Sequence, residues 1–132
     1  MSDLKPTGTK IRLGKNEYAL RFTLNVIDDI QDHFNIPIEE MEKLFKDEKN
    51  AIKNLRYLLA VLINEDIDCQ NDEALERGEK PRLLHVDERY VGRYISAENM
   101  NEMTTSIYKS FAAGTPEPEE DAPNATSEQQ ND

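Results

Sequence analysis

The stretch Ala51–Ile63, read as AIKNLRYLLAVLI, limits the possible folds more than any other part of this chain. Ala51, Ile52, Leu55, Leu58, Leu59, Leu62 and Ile63 follow the i, i+3, i+4, i+7 spacing of one helix face. Tyr57 and Val61 lie one turn apart on roughly the opposite side. A helix that is apolar on two sides is usually a buried one. The segment is therefore expected to be the central helix of a single small domain, with Asp47 as its cap and its end near Asn64. Thirteen residues are too few to cross a bilayer, which takes ~20, and Lys53 and Arg56 interrupt the run.

Upstream, the periodicity changes from helical to alternating. Ile11 and Leu13 alternate with Lys10 and Arg12. After Gly14, Lys15 and Asn16, the residues Tyr18, Leu20 and Phe22 alternate with Glu17, Ala19 and Arg21. This pattern predicts a β-hairpin with one apolar face, which must lie on helices to be stable. Thr23 or Asn25 can cap a following helix, whose stripe is Val26, Ile27, Ile30 and Phe34 and which Asn35 ends. Pro37 opens a short helix to Phe45, with Met41, Leu44 and Phe45 inward.

Downstream, Glu65–Pro81 is polar and carries Gly78 and Pro81, so it reads as a long loop with a short helical piece near Ala74 and Leu75. Order is expected to resume at Leu83 and Leu84. Tyr90, Val91, Tyr94 and Ile95 predict a short helix capped by Asp87. Ser96 opens a last helix with Met100, Met103, Ile107, Tyr108 and Phe111 on its face and Gly114 at its end. The fold class that follows is mainly α (α+β): an N-terminal β-hairpin packed on a bundle of about five helices. Residues 1–9 form a flexible lead-in, 10–114 one domain, and 115–132 a disordered acidic tail.

The formal net charge is −11, and Thr115–Asp132 carries six acids without a Lys or Arg, which leaves −5 on the rest. Phosphate binding needs clustered Lys and Arg, so neither nucleic acid nor an anionic membrane surface is an expected partner. A single cysteine, Cys69, excludes an internal disulfide, and MSDLKPTGTK shows no secretory signal.

Groups for chemistry are few. His33 flanks an apolar helix face and reads as a packed or solvated ring, while His85 reads as loop. Asp66, Asp68 and Gln70 resemble the start of a calcium loop, but Asn71 stands where that loop needs Gly and Arg77 where it needs Glu. Glu39, Glu40 and Glu42 read as a solvated face. Nucleotide, zinc-protease and serine-hydrolase motifs are lacking. No catalysis, metal or cofactor is expected. The candidate partner-binding residues are Tyr57 and Val61, a flank of the central helix that is either a second core face or a client surface. Met100 and Met103 join them because methionine adapts to varied apolar partners.

The opening Leu13-Gly14-Lys15-Asn16-Glu17-Tyr18, continuing through Ala19-Leu20-Arg21-Phe22-Thr23-Leu24-Asn25 into a helix faced by Asp28, Asp29 and Asp32, resembles the tail assembly chaperone family of long-tailed bacteriophages and prophages. The later order is also similar over roughly Ile11–Ala113: an apolar central helix, a variable loop, two short helices and an acidic end. Glu65–Pro81 departs from the pattern in length and acidity. The resemblance implies a protein without enzymatic activity that binds the tape measure protein, keeps it soluble, and helps recruit tail tube subunits through a longer frameshifted product. It also implies a weak homo-oligomer that works in the host cytoplasm and is absent from the mature virion. No set of client-contact residues carries over by position. The other readings are a permanent structural tail component or other non-enzymatic protein-interaction module and, lower, a small acidic enzyme or metal-binding domain.

Overall fold

A computed structural model describes residues Thr9–Gly114; the expected lead-in before Thr9 and the expected acidic tail 115–132 lie outside the described residues. The order is β1 (Thr9–Leu13), β2 (Asn16–Leu20), α1 (Leu24–Phe34), a 3-10 turn (Ile38–Glu40), α2 (Glu42–Lys46), α3 (Ala51–Glu76), α4 (Glu88–Gly92) and α5 (Met100–Gly114). An N-terminal two-stranded hairpin thus packs on five helices.

The hairpin is antiparallel, with Leu13 opposite Asn16 and Thr9 opposite Leu20. Its two-residue turn has Gly14 at φ 66° in the first central position, where a side chain would be strained. Ile11, Leu13 and Leu20 are buried. They meet Leu55, Leu58, Leu59, Leu62 and Ile63 of α3, Val26 and Ile30 of α1, Val91 of α4 and Ile107 of α5 in one core. Burying each such side chain contributes about 1.5–3 kcal/mol, so α3 organises the domain.

Local signals set most of the ends. The Thr23 hydroxyl accepts from the Val26 N–H at 3.4 Å to open α1, and Asn35 ends it in the left-handed region (φ 55°, ψ 46°). Asp87 accepts from the Tyr90 N–H at 2.8 Å to open α4. The Ser96 carbonyl takes the Met100 N–H at 3.1 Å, and the Asn99 side chain returns to the Ser96 N–H at 2.8 Å, in a turn that leads into α5.

Four expectations are corrected. The central helix does not stop near Asn64 but runs to Glu76, so most of the expected 65–81 loop is helix. Hydrophobic periodicity does fade there, since Ile67 is the last buried residue of α3. Polar contacts to neighbouring elements take its place. The helix ends after Arg77, where Gly78 (φ 79°) donates to Leu75 O at 3.0 Å and Glu79 donates to Ala74 O at 2.8 Å. This reciprocal pair satisfies the last carbonyls. Asp47 is not the α3 cap; Asn50 holds that place, and Asp47 accepts from the Asn50 N–H at 3.3 Å and Nδ2 at 3.0 Å. Ile52 is 56% exposed rather than core. Leu83 and Leu84 begin no regular element and stand at the surface.

Candidate functional site

A cleft of about 390 Å3 lies between β2 and the segment after α3. Ile63, Asp66, Ile67 and Gln70 of α3 contribute to it, with Asn16–Ala19 of β2 on one side and Leu83 and Leu84 on the other. A shallower depression beside it shares Asn16, Tyr18 and Leu84 and adds Tyr90 and Arg93.

The far wall is an extended strap fastened to α3 by two asparagines. Asn64 donates through Nδ2 to Val86 O at 2.9 Å and accepts from the Val86 N–H at 2.8 Å. Asn71 donates to Leu83 O at 3.1 Å and lies 3.5 Å from the Leu83 N–H. Seven helical residues rise ~10.5 Å, and three extended residues span ~10 Å, so the clamps match the repeat of an antiparallel strap. Between them, His85 Nε2 meets Asp68 Oδ1 at 2.7 Å. The strap leaves Leu84 85% exposed at the rim.

The near wall is the outer edge of β2. In a hairpin closed by two residues, the pair next to the turn is hydrogen-bonded and the next is not. Asn16, Tyr18 and Leu20 therefore spend their backbone groups on β1, while Glu17, Ala19 and Arg21 turn theirs outward. Arg21 N–H accordingly donates to Leu62 O of α3 at 3.1 Å. Among the described residues, Glu17 and Ala19 have no such outward partner.

Side chains fix the edge in place. The Arg21 guanidinium bonds Asp66 Oδ1 through Nε at 3.0 Å and Nη2 at 2.9 Å, and Gln70 donates to the other oxygen of that buried carboxylate. The Tyr18 and Tyr90 hydroxyls lie 2.8 Å apart, and Asn16 Nδ2 donates to Tyr90 at 3.2 Å. Burial, then the Tyr90 bond, pushes the Tyr18 pKa up to about 12. Lys10 and Glu17 face each other at 4.0 Å. The ionised groups lining the cleft are thus locally balanced.

The sequence-predicted residues lie elsewhere. Tyr57 stacks on His33 with centroids 3.8 Å apart, meets Phe34 edge-on, and donates to Asp29 O at 3.3 Å. Val61 and Met100 are half-buried against the core, and Met103 is buried within it. None of the four lines the cleft. His33 is packed, Asp66 and Asp68 are on a helix rather than a loop, and burial raises the Cys69 pKa above its ordinary value. Among the described residues, no three His, Cys, Asp or Glu side chains are placed to hold a metal ion, and no helix is long and apolar enough to cross a membrane.

Hydrophobic periodicity could not reveal the cleft, because backbone edges and asparagines build it. The sequence signals were the alternation of Glu17 and Ala19 on an edge strand and the seven-residue spacing of Asn64 and Asn71. Comparison of the chain with protein-family models, with curated proteins and with solved structures gives no match.

Proposed function

We propose that this chain is a tail assembly chaperone of a long-tailed bacteriophage or prophage. It binds the tape measure protein in the host cytoplasm, keeps that long helical client soluble, and is absent from the finished virion. Recruitment of tail tube subunits belongs to a longer frameshifted form. The observation that carries the reading is the Leu13–Tyr18 turn motif leading into an acidic amphipathic helix, in the order hairpin, helix, apolar central helix and shorter helices. The acidic balance of the chain supports it by opposing self-aggregation during client binding. Exposed Leu24, Ile52, Leu75 and Leu84 supply apolar contact surface on the described body.

Co-expression with the tape measure protein encoded nearby tests the reading. The client should move from the insoluble to the soluble fraction and co-purify with this chain, and mass spectrometry of purified particles should not find the chain. A client equally insoluble with and without it, or stoichiometric incorporation into particles, would overturn the assignment.

A further inference from the structure

We infer that the cleft between β2 and the strap is a strand-addition site, which takes a short extended segment of another polypeptide as a third strand on the hairpin. The inference stands on the geometry of the edge and is independent of the tail-assembly reading. Unpaired N–H and C=O groups on a sheet edge are a template for an added strand. Here they are confined to Glu17 and Ala19, because the next outward group, on Arg21, is already bonded to α3. The same α3 turns that hold Arg21 continue into the cleft through Ile63, Asp66, Ile67 and Gln70.

The dimensions and charge select the occupant. A cleft of about 390 Å3 lies at the small end of the ~300–1,000 Å3 range of ligand sites. The β2 edge and the strap residues Leu83 and Leu84 bound the cleft on two sides, which suits one strand between them better than the two-stranded hairpin of a second copy. Lys10 faces Glu17, and Asp66 faces Arg21, so a charged strand gains no counter-ion there. The seated residues are uncharged, with apolar side chains where they meet Leu83 and Leu84. Main-chain bonds to β2 supply affinity, and the leucines of the strap supply selection.

The test uses the full chain and a capped seven-residue peptide alternating Val and Thr. Titration followed by amide NMR should move Glu17 and Ala19 first and slow their hydrogen exchange. Methylating every peptide nitrogen should weaken binding about tenfold or more through loss of the main-chain bonds. Leu84→Ser, at a residue 85% exposed, should leave melting unchanged and weaken the same peptide severalfold. Ala19→Pro removes one outward donor without removing a β1 bond and should act likewise. The Leu84 variant and the methylated peptide keep the test decisive if the proline variant fails to fold. Shifts centred elsewhere, equal binding of the methylated peptide, or a concentration-dependent dimer abolished by Ala19→Pro would overturn the inference, the last in favour of a second copy.

Discussion

Replacing Asp66 by Ala should be among the most damaging single changes on α3. The Asp66 side chain is 5% exposed and takes both Arg21 bonds, whereas Arg21 is 23% exposed. Removing one partner of a buried pair costs about 3–5 kcal/mol when the other charge stays buried. Arg21 recovers part of its hydration, and Gln70 is exposed and regains water, so the expected loss is ~2–3 kcal/mol. At ~4–8 °C per kcal/mol for a small domain, the melting temperature should fall by roughly 10–20 °C. Far-ultraviolet circular dichroism at neutral pH reads the melt, and urea titration should show a lower midpoint at unchanged slope. Arg21→Met with Asp66→Leu removes both charges and should return stability to within ~1 kcal/mol of the parent. A single variant within 0.5 kcal/mol of the parent, taken as about the ordinary surface range, would refute the reasoning. So would a double variant as unstable as the single one, since the cost would then not lie in the orphaned charge.

Three further outcomes follow from the same contacts. Gly14→Ala should cost more than Gly78→Ala: both have positive φ, but a Cβ at Gly14 would sit 2.7 Å from Tyr94 Cε1, while Gly78 has open space. Urea midpoints should give about 1 kcal/mol for Gly78 and ~2–3 kcal/mol for Gly14. Asn64→Ala should cost ~1–2 kcal/mol by freeing two Val86 backbone groups and should speed tryptic cleavage after Arg82 far more than after Arg77. The Tyr18 phenol, raised to about 12 in the fold from 10.0, binds its proton more tightly folded than unfolded. Its contribution is complete below pH 10 and is lost between about pH 10 and 12, and Tyr18→Phe should flatten that part of the stability curve.

The sequence disclosed what burial dictates. Alternation at Ile11–Leu13 and Tyr18–Leu20, the leucine face of α3, and the caps Thr23, Asn35 and Asp87 all appear where their residue chemistry placed them. Tyr57 and Val61 left two readings open from sequence alone, and the ring of His33 now occupies one side of Tyr57. What could not be read was the second half of α3. Glu65–Glu76 shows no apolar stripe because its partners are the Arg21 guanidinium, the Leu83 backbone and the His85 ring. Polar residues that bond across a fold look the same in sequence as polar residues that face water. The cleft shares that invisibility, since its near wall is backbone and its far wall is hung from amide side chains.

This division of α3 predicts a division of its stability. Residues 55–63 bury six side chains of the central helix, Leu55, Leu58, Leu59, Ala60, Leu62 and Ile63, with buried Asn54 adjacent, whereas nothing after Ile67 is buried. Opening residues 68–76 breaks the Asn71 clamp, the exposed Asp68–His85 contact and the Gly78–Glu79 closing bonds. At ~1 kcal/mol or less for each, that amounts to a local opening of about 2–3 kcal/mol, below the ~5–15 kcal/mol of global unfolding. Amides in 68–76 should therefore exchange at least about thirtyfold faster than those in 55–63, because each 1.4 kcal/mol is a factor of ten. Asn71→Ala should accelerate the first group and leave the second almost unchanged. Equal protection along the whole helix would mean that α3 opens as one unit, and that the polar half is held by more than these clamps.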